Sequence, residues 1–226
     1  MRLKNYHKIV IACDGGAASG KTTGAKLISK KYGLKFLSSG LLYRYASYQI
    51  LKFKPKNKIK LIKKSFKNLN IKKLKKINLH TALISEHTSK IAKEKKIRAI
   101  LKSFQKNFAK KSNKPIIEGR DCGTVILPKA DLKFFFKCDI KTAAKRRFIE
   151  LKKTNSKIKF KDVKKSIKIR NYRDIHRKNS PLLKSRDAII VDTGKLKNIN
   201  DMVKFMSKII EEKIEKKYGS RSKFSK

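Results

Sequence analysis

The sequence predicts an α/β protein built on a doubly wound, five-stranded parallel sheet. Along its 226 residues, short apolar runs alternate with stretches of helical periodicity, as when parallel strands are joined by crossover helices. The run Leu132 to Phe136 is almost wholly apolar, as expected of a strand covered on both faces. Ile9 to Thr23 joins an apolar run, a glycine-rich turn and the start of a helix. The length suits one domain, expected over 1–218, with room for a small insert.

The elements follow in order. Ile9 to Cys13 forms the first strand, and the next helix carries Ala25, Ile28 and Tyr32 at helical spacing, with Gly33 as its stop. Leu34 to Leu37 is a second strand, running into Ser38-Ser39-Gly40. A helix is expected from Leu41, with Leu42, Ala46 and Ile50 on one face, ending at Lys54-Pro55-Lys56. From there to Asn78 lysines dominate, and periodicity does not choose between helices and strands; an insert is expected over about 52–97. Ser85 is the expected N-cap of a helix bearing Ile97, Leu101, Phe104 and Phe108. Ile116 to Glu118 gives a third strand, Leu132 to Phe136 a fourth, and Ala188 to Val191 a fifth. Between the last two lie a helix with Ala144, Phe148 and Leu151 inward, a polar stretch around Lys152 to Lys159 that suits a lid (about 152–169), and a helix with Phe160, Val163 and Ile167. Asn200 or Asp201 is expected to cap the last helix, before a flexible tail over 219–226.

The chemistry begins at Gly15. Four residues separate it from Gly20-Lys21-Thr22, and the strand before and helix after complete the context of a phosphate-binding loop. Its backbone N–H groups and helix N-terminus surround a polyphosphate. Lys21 neutralises the β- and γ-phosphates and the Thr22 hydroxyl is offered to Mg²⁺. Gly15, Gly16, Ala17, Ala18, Ser19, Gly20, Lys21, Thr22 and Thr23 are therefore the expected ATP-binding set.

Composition narrows the partners. A net charge of +47 is what a nucleic-acid or anionic-membrane binder carries. Here the excess is nearly all lysine, spread from end to end beside abundant Ile and Asn, which share A/T-rich codons. Weak, non-specific nucleic-acid binding is the expectation, without a dedicated nucleic-acid function. No apolar run is long enough to span a membrane and no signal-peptide block opens the chain, so a cytoplasmic location is expected. Cys13, Cys122 and Cys138 form no CxxC pair, and the four histidines lack metal-ligand spacing, so no structural zinc is expected.

Arginine is scarce beside lysine, yet Arg170, Arg173 and Arg177 cluster with Asp174 at helical spacing. Planar guanidinium forks suit bidentate phosphate contacts. The chain resembles the bacterial cytidylate kinases, a family of nucleoside monophosphate kinases with the P-loop kinase fold. The matches are Gly15 to Thr23, Ser38-Ser39-Gly40-Leu41-Leu42-Tyr43-Arg44, Ile97-Arg98, Glu118-Gly119-Arg120-Asp121-Cys122-Gly123-Thr124-Val125, and Arg170 to Asp174 with Arg177 and Pro181-Leu182. Three positions depart from the family pattern: Ser38 replaces the Asp of a DSG triplet, Gly16 a Pro, and Glu118 an Asp. The segment from Arg44 to Arg98 is shorter than in many relatives, where it forms a monophosphate-binding module.

The resemblance implies transfer of the ATP γ-phosphoryl to CMP or dCMP, with Mg²⁺ as cofactor; a monomer is expected, although the sequence itself does not reveal oligomeric state. It places Ser39, Arg44, Gly119 and Arg120 at the acceptor phosphate, with Tyr43 in the same site. Ser89, Arg98 and Asp121 read cytosine, and Arg170 and Asp174 meet the ribose. Arg177, with Arg146 or Arg147, bridges the two nucleotides' phosphates, so that Lys21, Arg170 and Arg177 form the expected catalytic set. A carboxylate accepts from the N4 amino group of cytosine but faces an oxygen in uracil, and Arg98 can donate to O2 or N3. The rival readings are another P-loop kinase acting on UMP, AMP or dTMP, and a nucleic-acid-associated NTPase.

Overall fold

Strand β1 (Ile11–Gly15) is buried along its whole length because it pairs in parallel with β3 (Pro115–Gly119) on one side and β4 (Leu132–Lys137) on the other. In the computed structural model, which describes residues 2–153 and 156–219, β2 (Lys35–Ser38) and β5 (Ile189–Asp192) complete a wholly parallel sheet in the order β2-β3-β1-β4-β5. The chain leaves β1 for β2 across β3, so the carboxyl end of β1 is a topological switch point, the place where open α/β sheets bind ligands. β1 runs two residues further than its apolar pattern suggests, since Asp14 and Gly15 pair with Gly119 and Phe136.

Each face of the sheet is covered by helices. On one side α1 (Lys21–Tyr32) and α8 (Ile199–Tyr218) bury Ile28, Tyr32, Met206, Ile210 and Ile214 against Phe134 and Phe136. On the other, α2 (Ser39–Phe53), α3 (Lys58–Lys67), α4 (Ala82–Ile91) and α5 (Lys95–Lys110) pack on Ala12, Leu37 and Ile117. The lysine-rich stretch is thus helical, with a tight 3₁₀ turn over Ile71–Lys76. Ile62, Phe66, Leu74 and Leu79 join the same apolar cluster as the sheet residues, so it shares the domain's core. A smaller cluster joins α6 (Ile140–Lys152) to α7 (Phe160–His176), with Phe148 edge-on to Phe160 at 5.8 Å, and reaches Ala17 of the glycine-rich turn.

Several helix ends lie elsewhere than expected. Ser38, not a later residue, caps α2 by accepting the Leu41 N–H. Ser85 sits inside α4, whose cap is Thr81, and Ile97 to Phe108 belong to the separate helix α5; Lys93 and Glu94 break the two apart with 3₁₀-type bonds to the Lys90 and Ile91 carbonyls. Asn198 caps α8 in place of Asn200 or Asp201, because its side chain reaches the Asp201 N–H. The expected lid overlaps α7 by ten residues, 160–169; Asn155 within it, and the expected tail beyond Gly219, lie outside the described residues. Among the described residues no helix is long and apolar enough to cross a membrane.

Candidate active site

The glycine-rich turn connects β1 to α1 at the switch point. Gly20 caps α1 at φ 82, a left-handed conformation that costs residues with a Cβ, and it turns the first N–H groups of α1 toward the loop's hollow. Lys21 is buried and its Nζ donates to the Gly16 carbonyl at 3.0 Å. Burial above all, then the nearby Arg120 guanidinium, brings its ammonium down to about 7, against the pull of Glu118. The Ser19 hydroxyl is buried without a partner, and Thr22 stands half-buried in the first turn of α1. Thr23 is exposed.

One strand over, β3 delivers Gly119-Arg120-Asp121 and a wide, π-type turn over Cys122–Ile126. Asp14, at the end of β1, fixes that turn: its carboxylate accepts the N–H groups of Cys122 at 2.8 Å and Gly123 at 2.7 Å. Burial raises Asp14 to about 6 despite those two donors. Ser39 Oγ is 3.6 Å from Cys122 Sγ beside the turn. Ser38 and Glu118, two of the positions that depart from the family pattern, are opposite each other in the β2–β3 ladder and joined by a hydrogen bond from Ser38 Oγ to Glu118 Oε1.

Around this turn stand two groups of charges. The first holds Arg44, Arg120, Arg147 and Arg170: burial first, then the Arg147 and Arg120 guanidinium groups, lowers Arg44 to about 10, and burial first, then Arg120, lowers Arg170 to about 9. Arg120 Nε donates to Asp174 at 2.8 Å, and Arg44 is held by the Leu79 carbonyl and the Ser85 hydroxyl at 3.0 and 2.7 Å. Like charges so gathered, beside Lys21, want an anion between them. In the second group Arg98 is joined to Asp121 by a charge-assisted hydrogen bond, with its guanidinium 5.6 Å from the centre of the Tyr43 ring. Burial pushes the Tyr43 phenol up, leaving it protonated.

Three of the expected site residues stand apart from the first charge group. Arg177 lies just beyond the end of α7 in extended backbone, 3.8 Å from Asp121 and 3.5 Å from Asp174, with its Nε held by the Ser180 carbonyl at 2.7 Å; it stands with the second charge group. Arg146 donates to Thr193 Oγ1 and O at 3.0 and 2.8 Å, and Thr193 in turn bonds the Ser19 carbonyl, so Arg146 braces the loop from behind. Ser89 is half-buried on α4 and hydrogen-bonds to neither Arg98 nor Asp121. The residues that sequence reasoning missed are Asp14, Thr193 and Asn171. Asp14 had a signal, a carboxylate in an otherwise apolar strand; Thr193 had none.

The matched motifs thus meet at one edge of the sheet in the arrangement their order implied. The family model for cytidylate kinase matches residues 11–212, which include every residue of both charge groups. The chain belongs to the cytidylate kinase family. A cytidylate kinase of Fusobacterium nucleatum is 36% identical over 214 residues, covering 90% of this chain and 97% of its own length. One of Clostridium botulinum is 38% identical over 215 residues, with 90% and 98% covered, and one of Bartonella tribocorum 39% over 193, with 83% and 87% covered. Among solved structures, an uncharacterized protein from Eubacterium ventriosum aligns at TM-score 0.55 and 17% identity, covering 90% of this chain and 99% of its own. A shikimate kinase from Bacteroides thetaiotaomicron aligns at TM-score 0.51 and 12% identity, with 91% and 99% covered; these two likenesses concern the fold alone. As a member of the cytidylate kinase family the chain is a phosphotransferase of the P-loop kinase fold.

Proposed function

We propose that the protein transfers the γ-phosphoryl group of ATP to CMP or dCMP, giving ADP and CDP or dCDP. The observation that carries the reading is the Arg98–Asp121 pair under Tyr43, placed beside an arginine cluster that adjoins the phosphate loop. The acceptor is already an oxyanion, so no general base is required, and the work is to hold two polyanions in line and neutralise the transferring charge. Lys21 exchanges the Gly16 carbonyl for the γ-phosphoryl. Arg44, Arg120, Arg147 and Arg170 gather the acceptor phosphate and the charge that spreads over the transferred group. Asp121 accepts from the cytosine amino group while Arg98 donates to the ring. Asp174 orients Arg120, and Arg177 buttresses Asp121 and Asp174 from the base side.

Mg²⁺ fits what the loop offers. The half-buried Thr22 hydroxyl and a phosphate are the hard oxygen ligands Mg²⁺ takes when it keeps most of its waters, and among the described residues no cluster of His, Cys, Asp or Glu competes as an all-protein site. Thr22 is the residue that would hold it, and the ion supplies further charge neutralisation between the phosphates when bound. Both half-sites come from one chain, so a monomer suffices.

A coupled assay offering ATP with CMP, dCMP, UMP, AMP and dTMP tests the reading: CMP or dCMP is expected to be the best acceptor, and preference for any other overturns it. Asp121→Asn is expected to reduce the preference for CMP over UMP by about tenfold or more, since it turns an acceptor into a donor at the base edge; an unchanged ratio removes Asp121 from base reading.

A further inference from the structure

One peptide group in the phosphate loop is gripped at both poles. The carbonyl of the Gly16–Ala17 peptide accepts from Lys21 Nζ at 3.0 Å. Its N–H, on Ala17, donates to Asn171 Oδ1 at 2.8 Å. Asn171 lies on α7 next to Arg170, one turn before Asp174, so this bond joins the donor loop to the helix that carries acceptor-side charges, across 154 residues of sequence. The approach is possible only because residue 16 lacks a side chain: a Cβ there would stand 3.2 Å from Asn171 Oδ1 and 3.3 Å from Nδ2, tighter than such contacts normally run. Gly16 is one of the chain's departures from the family pattern, and the space it leaves is filled by this one amide.

We infer that Asn171 is a positioning residue that reads the terminal phosphoryl of the donor nucleotide. An amide has two poles. With Oδ1 committed to the Ala17 N–H, Nδ2 is left with hydrogens to donate, and among the described residues no protein acceptor takes them. The Ala17 N–H and Lys21 mark the limb of the loop that meets the outer phosphates of a triphosphate. A terminal phosphoryl group there draws Lys21 away from the Gly16 carbonyl and supplies Nδ2 with a charged acceptor, while Oδ1 keeps the peptide from turning when Lys21 leaves. A diphosphate lacks that group and does neither. Asn171 therefore tells α7, and with it Arg170 and Asp174, that a transferable phosphoryl is in place.

This rests on the donor half of the proposed function and is independent of which acceptor the enzyme uses. It is tested by calorimetric binding of adenylyl imidodiphosphate and of ADP to the full-length protein and to Asn171→Asp, Asn171→Ala and Gly16→Ala. Asn171→Asp keeps an acceptor for the Ala17 N–H but sets an anion against the phosphoryl group. It is expected to weaken the triphosphate analogue by about tenfold to a hundredfold and ADP by no more than about threefold, within the range of a lost neutral contact. Asn171→Ala is expected to weaken the analogue less, by about threefold to tenfold. Gly16→Ala, by pushing the amide aside, is expected to act in the same direction and to add nothing to Asn171→Ala in the double variant. Equal weakening of both nucleotides assigns Asn171 a structural role only, and unchanged affinity for both removes it from the donor site; either result overturns the inference. Failure of the acceptor assay above with these binding ratios intact would instead fault the choice of acceptor.

Discussion

Burial and the neighbouring Arg120 hold Lys21 at about 7 in the ligand-free protein, against about 10.4 for an unfolded lysine. Between those two values the unfolded chain binds more protons than the folded one, so stability rises with pH across that window, and below pH ~7 the cost of a buried ammonium is present in full. Lys21→Met removes that cost together with the charge the reaction needs. The variant is expected to lose kcat by about a hundredfold or more. It is also expected to melt about 2–4 °C above the parent for each kcal/mol relieved, measured without ligand at pH 6, the gap narrowing toward pH 9. A melting temperature unchanged or lowered at pH 6 would show that the buried Lys21 ammonium carries no such cost. The same residue explains what was legible. A lysine between Gly20 and Thr22 declares its partner by spacing, because the loop is a local structure. Arg177 does not, because it lies one residue past the end of α7, and the Ser180 carbonyl that holds its guanidinium is not visible as a pattern.

Elements were read with similar unevenness. All five strands follow from their apolar runs, since a strand buried on both faces has nothing else to be made of. The lysine-rich stretch from Lys56 to Asn78 was not readable as helices, because α3 is short and its two buried residues, Ile62 and Phe66, span one turn. The α1–β4 contact illustrates how tightly the readable part is built. A Cβ at Gly24 would stand 2.9 Å from the Phe136 ring, itself buried in the core, and 3.3 Å from Met202 Sδ. Gly24→Ala is expected to destabilise the protein by about 1–3 kcal/mol as read by denaturant unfolding, and Phe136→Leu in the same chain to recover part of the loss. Equal stability of parent and variant would mean that α1 can lift away from the sheet, and with it Lys21.

Across the whole molecule, 63 basic residues face 16 acidic ones. Among the described residues only four carboxylates are buried, Asp14, Glu118, Asp121 and Asp174, and all four stand at the carboxyl edge of the sheet around the site. The basic excess elsewhere is uncompensated and repels itself, which opposes compactness. Raising NaCl from about 0.05 to 0.5 M shortens the screening distance from over 10 Å to a few ångströms. The melting temperature of the ligand-free protein is expected to rise over that range, while ATP binding weakens. A melting temperature that falls with salt would mean that the surface charges are, on balance, paired.

The two bonds from Asp14 to the Cys122 and Gly123 amides span 108 and 109 residues. Contacts of such separation close late, after shorter loops have formed. A chain emerging from the ribosome therefore has its glycine-rich segment made while half of the protein is still unmade, and the turn that carries Asp121 acquires its shape only when β3 pairs with β1. The glycine-rich loop waits longer still, since Asn171 and Thr193, which bond its Ala17 N–H and Ser19 carbonyl, are made later yet, so a truncated chain leaves both halves of the site unbraced.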